Sequence, residues 1–214
     1  MYLSSKSRPD NQFSVNHCAS LSHNPRRSHY KAVNRICRYL VVSQGQVLTF
    51  DHNSDIDMDC YVDTYFSKLF KNEYDQYPVR VKSRNGHVMS LGGFPLHWVS
   101  KIQIYIDLSI LEDEYIDIAQ AMRNILPLRW FLQKVGNQLK MEYAPHTTMH
   151  YTVFEYNTGA LGLATSPRKT IRRSQIAVKY YFFRKNIGEG KGIIIQRVEY
   201  KEQKNDVFTK LLTA

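Results

Sequence analysis

Apolar residues first recur at helical spacing near the start of the chain. Ala32, Val33, Ile36, Cys37, Tyr39 and Leu40 form a stripe, and Arg26, Arg27, Arg35 and Arg38 occupy other positions. The pattern predicts helices over 10–22 and 26–43, with Asn24-Pro25 as the break between them. A polar run, Asp51 to Asp57, then interrupts the periodicity. Beyond it the period changes to two. Met58 to Asp63 alternates, Val79 to Leu91 reads as a strand region broken by an Arg84-Asn85-Gly86 turn, and Phe94 to Ser100 reads as a third strand. Gly92-Gly93-Phe94-Pro95 makes the second and third strands a hairpin.

Helical spacing returns with Ile118, Met122 and Ile125, which fall on one face of a helix expected over about 110–135. Pro127 is expected to kink this helix and Gly136 to cap it. A strand over Tyr151 to Glu155, a Gly/Ala-rich helix over 157–165 and a basic helix over 174–187 follow. A strand over Ile193 to Tyr200 and a helix starting near Asn205 complete the chain. Hairpin strands followed by alternating helices and strands point to an α/β fold: a mixed sheet of five strands with helices on its faces, preceded by a small helical hairpin. The polar run divides the chain into 1–50 and 58–214.

Composition narrows the class. At 43% hydrophobic and 22% charged residues, the 214-residue chain is globular in character and long enough for one substantial core. The net charge of +10 favours phosphate-rich or acidic partners. Cys18, Cys37 and Cys60 are odd in number and widely spaced. They read as reduced, buried residues of an intracellular protein, cytoplasmic or nuclear. No apolar run approaches the ~20 residues of a spanning helix, so no membrane partner is expected.

Six segments, in this order, resemble the copia-type retrotransposon Pol polyprotein. They are CYVDTYF, LHWVSKIQ, LSILEDEYIDIAQAM, YNTGALGLA, IAVKYYFFR and KNDVFTKLL. Residues 58–212 resemble its ribonuclease H domain. Residues 2–45, with YLSSKSRPD and NPRRSHYKAVNRICRYL, resemble the tail of its reverse transcriptase. The resemblance implies a ribonuclease H-like fold and cleavage of the RNA strand of an RNA–DNA hybrid. It also implies four carboxylates around two Mg²⁺ or Mn²⁺ ions, hard cations that take oxygen ligands. Asp63, Glu114 and Asp206 match three of those carboxylates. The fourth position holds Tyr156. Phenol is uncharged at neutral pH and ligates Mg²⁺ weakly. On this reading the ring projects into the metal space, and the nuclease is impaired or lost. Glu155 is the alternative donor, but strand alternation turns it to the opposite face unless the strand slips or bulges.

Other departures from the family pattern point the same way. Tyr65 replaces a second aspartate, Arg173-Ser174-Gln175 replaces a Lys-His pair, and Tyr181 stands for a histidine. The alternative reading is therefore a catalytically dead module that binds nucleic acid or other polyprotein parts, or a non-functional relic. Lys101, Asn157, Arg172, Arg173 and Lys179 are the expected nucleic-acid contacts, within a basic stretch from Arg168 to Lys204. A solvated helix face is the plainer account of that stretch, and a helix cap the plainer account of Asn157. Glu112 and Asp113 read as favourable charges at a helix start. Trp98 reads as core.

Overall fold

A computed structural model of the protein describes residues 1–51, 57–65, 82–103, 109–140, 149–165, 181–188 and 190–209. Residues 52–56 of the polar run and 166–180, with the first part of the basic stretch, lie outside the described residues.

Three helices open the chain: α1 (Tyr2–Lys6), α2 (Gln12–Ser20) and α3 (Arg27–Val42). The sheet follows with β1 (Met58–Tyr65), β2 (Arg84–Leu91) and β3 (Phe94–Ile102). After α4 (Ile110–Gln138) come β4 (Tyr151–Glu155), α5 (Thr158–Thr165), β5 (Ile194–Arg197) and α6 (Asp206–Thr209). The five strands form one sheet in the order β3-β2-β1-β4-β5. β1, β2 and β3 are antiparallel, whereas β4 runs parallel to both β1 and β5. This is the ribonuclease H-like α/β arrangement that the sequence implied.

Several elements depart from expectation. Arg84-Asn85-Gly86 is not a turn but the first part of β2, paired to Tyr65, Thr64 and Asp63 of β1. The actual turn is Gly92-Gly93. Its φ angles of 55° and 79° give the two-residue hairpin connection that glycine makes easily. Helix α4 contains Pro127, as expected, but also runs through Gly136. It ends at Gln138 with Leu139 as its C-cap, and Lys140, not Gly136, takes the left-handed conformation, with φ 48°. The proposed basic helix over 174–187 does not extend over its described part, where Arg184–Asn186 forms a 3-10 turn. Strand β5 stops at Arg197, and Tyr200–Glu202 forms a second 3-10 turn.

The sheet has two differently covered faces. Met58, Cys60 and Val62 of β1, Met89 of β2, and Tyr151 and Val153 of β4 pack against Ile118, Met122 and Ile125 of α4. The same core takes in Ala160 and Leu163 of α5. On the other face Tyr61, Val88, Trp98, Val198 and Phe208 form a smaller cluster, with Phe154 stacked on Tyr61 at 4.6 Å. The alternation of β1 between Val62 and Tyr61 thus feeds two separate cores.

The N-terminal helices close this second face. Trp98 Nε1 donates to the Ser4 carbonyl at 2.7 Å, Arg84 donates to Asn16 Oδ1 at 2.9 Å, and the Arg84 guanidinium lies over Phe13. Trp98 is core, as expected. Helix α3 buries none of its residues, although Ser43 at its end is held by Arg8 at 2.6 Å. Only Cys60 of the three cysteines is buried. Cys18 of α2 is half-buried and Cys37 of α3 exposed, because the two helices leave an open apolar cleft between them, lined by Val15, Cys18, Ile36 and Cys37. Among the described residues no helix is long and apolar enough to cross a membrane.

Candidate functional site

The parallel neighbours β1 and β4 each end in an acid, Asp63 near the end of one and Glu155 closing the other. In open α/β sheets the carboxyl ends of the strands are where ligands bind. Asp63 shares a strand face with Tyr61, on the α6 side. Its Oδ2 accepts a 2.6 Å hydrogen bond from the Thr209 hydroxyl of α6. That contact depends on Gly86, which is paired to Asp63 in the ladder. A Cβ on Gly86 would meet Thr209 Cγ2 at 2.6 Å and Phe208 Cβ at 3.1 Å. The absence of a side chain therefore lets α6 lie against the sheet. Asn205, fully buried, donates from Nδ2 to the Gly86 carbonyl and fixes the start of α6.

Glu114 enters from α4. Ser109 caps that helix, its hydroxyl accepting from the Glu112 amide at 3.2 Å. Glu114 follows within the first two turns and is buried. Burial, then the negative charges of Glu155, Asp63, Asp117 and Asp113, push its carboxyl up to about 10. Glu155 is 1% exposed. Its Oε1 accepts from the Asn157 amide at 2.7 Å, and burial raises its pKa well above the usual range, with Asp117 and Asp63 adding to the rise. Among the described residues neither Glu114 Oε2 nor Glu155 Oε2 has a hydrogen-bond partner.

Asp117 is a further buried acid, one turn beyond Glu114 on the same face of α4. Its Oδ2 accepts from the Gly86 amide at 3.3 Å and lies 3.4 Å from the Thr64 hydroxyl. Its Oδ1 is 3.7 Å from His87 Nδ1. Burial lowers the His87 pKa to about 4, so the ring is neutral at pH 7 and its Nε2 meets Asn124 at 3.1 Å.

The structure thus brings Asp63, Glu114 and Glu155 into mutual electrostatic contact. Asp206 opens α6, three residues before the Thr209 that holds Asp63, and is half-buried. Tyr156, the residue after Glu155, lies at the surface. It is 46% exposed, and its ring lies edge-on to Tyr200 at 6.0 Å. Strand β4 shows no slip, and Glu155 lies on the sheet face opposite to that of Asp63, as strand alternation implies. The ladder from Thr152↔Ile194 to Glu155↔Arg197 is continuous, and Glu155 shares a face with Tyr151 and Val153, the face that α4 covers. Among the described residues no three His, Cys, Asp or Glu side chains meet at metal-ligand spacing. The donor chemistry nonetheless suits a hard cation: buried carboxylates with unpaired oxygens and mutual repulsion.

Of the expected nucleic-acid contacts, Lys101 is exposed on edge strand β3, opposite Asn85. Asn157 caps α5, its Oδ1 accepting from Gly159 at 2.9 Å and Ala160 at 3.2 Å. Arg172, Arg173 and Lys179 lie outside the described residues. Within the basic stretch, Lys204 sits over Tyr61 and Arg184 over Tyr181. Asp113 stands with Glu112 in the first turn of α4, as expected for charges at a helix start, and is fully buried. Thr209, Gly86 and Asp117 carry no motif that periodicity or composition would single out.

No protein-family model matches the chain. The Pol polyprotein from transposon TNT 1-94 of Nicotiana tabacum is 26% identical over 99% of the chain. Those from transposons RE1 and RE2 of Arabidopsis thaliana are each 27% identical over 96% of it. The chain spans 14% of the length of the first and 13% of the other two. Similarity to three transposon polyproteins over nearly all of its residues supports the resemblance to a fragment of a copia-type retrotransposon Pol polyprotein.

Proposed function

We propose that this chain is a ribonuclease H-like domain that engages RNA–DNA hybrid, with Asp63, Glu114 and Asp206 holding Mg²⁺ or Mn²⁺. One observation carries the reading. Asp63 from the first strand and Glu114 from the long helix, two acids matched by the resemblance, act on each other at the carboxyl end of the sheet, and α6 bonds to Asp63 there. Bound divalent ions in such a site supply an activated water and stabilise the leaving oxygen. The residues themselves supply oxygen ligands, with Thr209 orienting Asp63 and Ser109 anchoring the helix that presents Glu114. The net charge of +10 suits a polyanionic substrate. Without a carboxylate at 156, hydrolysis is slowed by roughly 10²–10³.

A binding module without catalysis is the second reading. It is favoured by the absence, among the described residues, of three donors at metal-ligand spacing. Incubating labelled hybrid with the chain and with Tyr156→Asp, in Mg²⁺ or Mn²⁺, separates the two. Slow cutting by the parent that the variant accelerates supports the nuclease. Binding without cutting by either chain supports the module. No hybrid binding by either chain removes both.

A further inference from the structure

The helical hairpin at the start of the chain contributes none of the acids described above, yet it carries a surface of its own. Val33, Ile36, Cys37 and Leu40 of α3 fall at i, i+3, i+4 and i+7, the spacing of a helix packed along its length. They form one wall of a cleft of about 530 Å³, which is open among the described residues. Val15 and Cys18 of α2 form the facing wall. The row is only partly covered. Ile36 and Leu40 are half-buried, Cys37 is exposed, and Val33 is 44% exposed. Tyr30, at the same edge one turn earlier, is exposed as well.

Charge marks the same helix. Residues 1–50 hold seven Lys and Arg side chains and one acid, Asp10, which Arg8 holds at 2.7 Å. Arg27, Lys31 and Arg38 are exposed and form the helical row that adjoins Tyr30, Val33 and Cys37. Their long stems reach over a neighbour seated on that row. A concave surface built from two helix rows takes the side-chain ridge of a third helix, whereas a flat bilayer leaves it unfilled. Nucleic acid gains nothing from an apolar floor, and a second copy would set its own basic row against this one.

We propose that the cleft between α2 and α3 docks an amphipathic helix of a partner protein, its apolar face in the cleft and its Asp and Glu side chains against Arg27, Lys31 and Arg38. The proposal is independent of the nuclease reading.

Cys37 reports occupancy, because its thiol is exposed and lines the cleft. The full chain is treated with a maleimide, and the labelling rate at Cys37 is read by mass spectrometry. The probe is a helical peptide of 16 residues, the length of α3, with leucines at i, i+3, i+4 and i+7 and glutamates beside them. At several times its Kd it should slow labelling roughly fivefold. A peptide with lysines in place of the glutamates should bind roughly tenfold more weakly. Arg27→Gln combined with Arg38→Gln should weaken the glutamate peptide by a similar factor and flatten its salt dependence. Both side chains are exposed, so the doubly substituted chain should melt with the parent. If it does not, the two peptides compared on the parent chain decide. Equal protection by the two peptides, or none by either, overturns the proposal. So does slower labelling brought about by RNA–DNA hybrid, by phosphatidylserine vesicles or by raising the chain concentration. Those results would assign the face to nucleic acid, to a membrane or to a second copy.

Discussion

The hydroxyl of Thr209 donates to Oδ2 of Asp63 at 2.6 Å, joining the final helix to the first strand of the sheet. Both residues are buried, so the bond is shielded from water. Replacing Thr209 with Val keeps the shape and removes the donor. Thr209→Val should cost about 1–3 kcal/mol, the usual effect of leaving a buried charged acceptor short of a partner. Urea unfolding at pH 7 measures it, and a loss under a few tenths of a kcal/mol would show that the bond is immaterial.

Gly86 lets that helix approach. A methyl group there would lie 2.6 Å from Thr209 Cγ2 and 3.1 Å from Phe208 Cβ, neither at the free end of a long flexible chain. Gly86→Ala should destabilise the fold by about 1–3 kcal/mol through overpacking. It should also speed amide exchange in residues 206–209 more than in α4. Uniform acceleration across both helices would point to general unfolding instead of helix displacement.

The buried acids set an unusual pH dependence. Glu114 has its carboxyl pushed up to about 10, and Asp117 and Glu155 are raised as well. Unfolded, such groups titrate near 4, so between the two values the native state holds more protons. Their contribution to stability is complete below about pH 4 and declines as pH rises. His87 works in the opposite sense. Its folded value near 4 lies below its unfolded value of about 6.5, so acidification through that window destabilises the native chain. Above pH 7 the His87 effect is spent and the carboxyl trend remains, joined toward pH 9 by the buried Cys60 thiol, which burial also raises. In EDTA, stability should fall from pH 7 to 9, and Glu114→Gln should raise stability at pH 8 by on the order of 1–3 kcal/mol and flatten the slope. A stability that increases over this range would contradict the burial of these acids.

The N-terminal helices are part of the folded unit. Trp98 is buried and donates to the Ser4 carbonyl at 2.7 Å, and Arg84 reaches Asn16. Trp98→Phe should cost about 1 kcal/mol. A chain beginning at residue 57 should expose the Trp98 face, bind a hydrophobic dye and melt at lower temperature. If that shortened chain unfolds cooperatively at the parent's temperature, the helices are dispensable.

Much of this architecture was legible because period and punctuation act locally. The alternation from Met58 to Asp63, the Gly92-Gly93 turn, the spacing of Ile118, Met122 and Ile125, and the strand Tyr151 to Glu155 each became the element they announce. Arg84-Asn85-Gly86 misled for a physical reason. An Asn-Gly pair favours a turn in isolation, but here Gly86 is small so that α6 can lie on it, a requirement set by a segment more than a hundred residues away. Gly136 misled similarly, since packing along α4 carried the helix past it to Gln138.

The candidate site divides along the same line. Sequence by itself determined which acids to suspect, because Asp63, Glu114 and Asp206 lie in ordered motifs, and it showed that position 156 carries a phenol. Only the tertiary structure decided which neighbours those acids meet. The strand period of two says that Glu155 and Tyr156 face opposite ways, but not which way faces α4. The helix that settles the question packs on the side of Val153 and Glu155, leaving Tyr156 at the surface and the glutamate among buried charges.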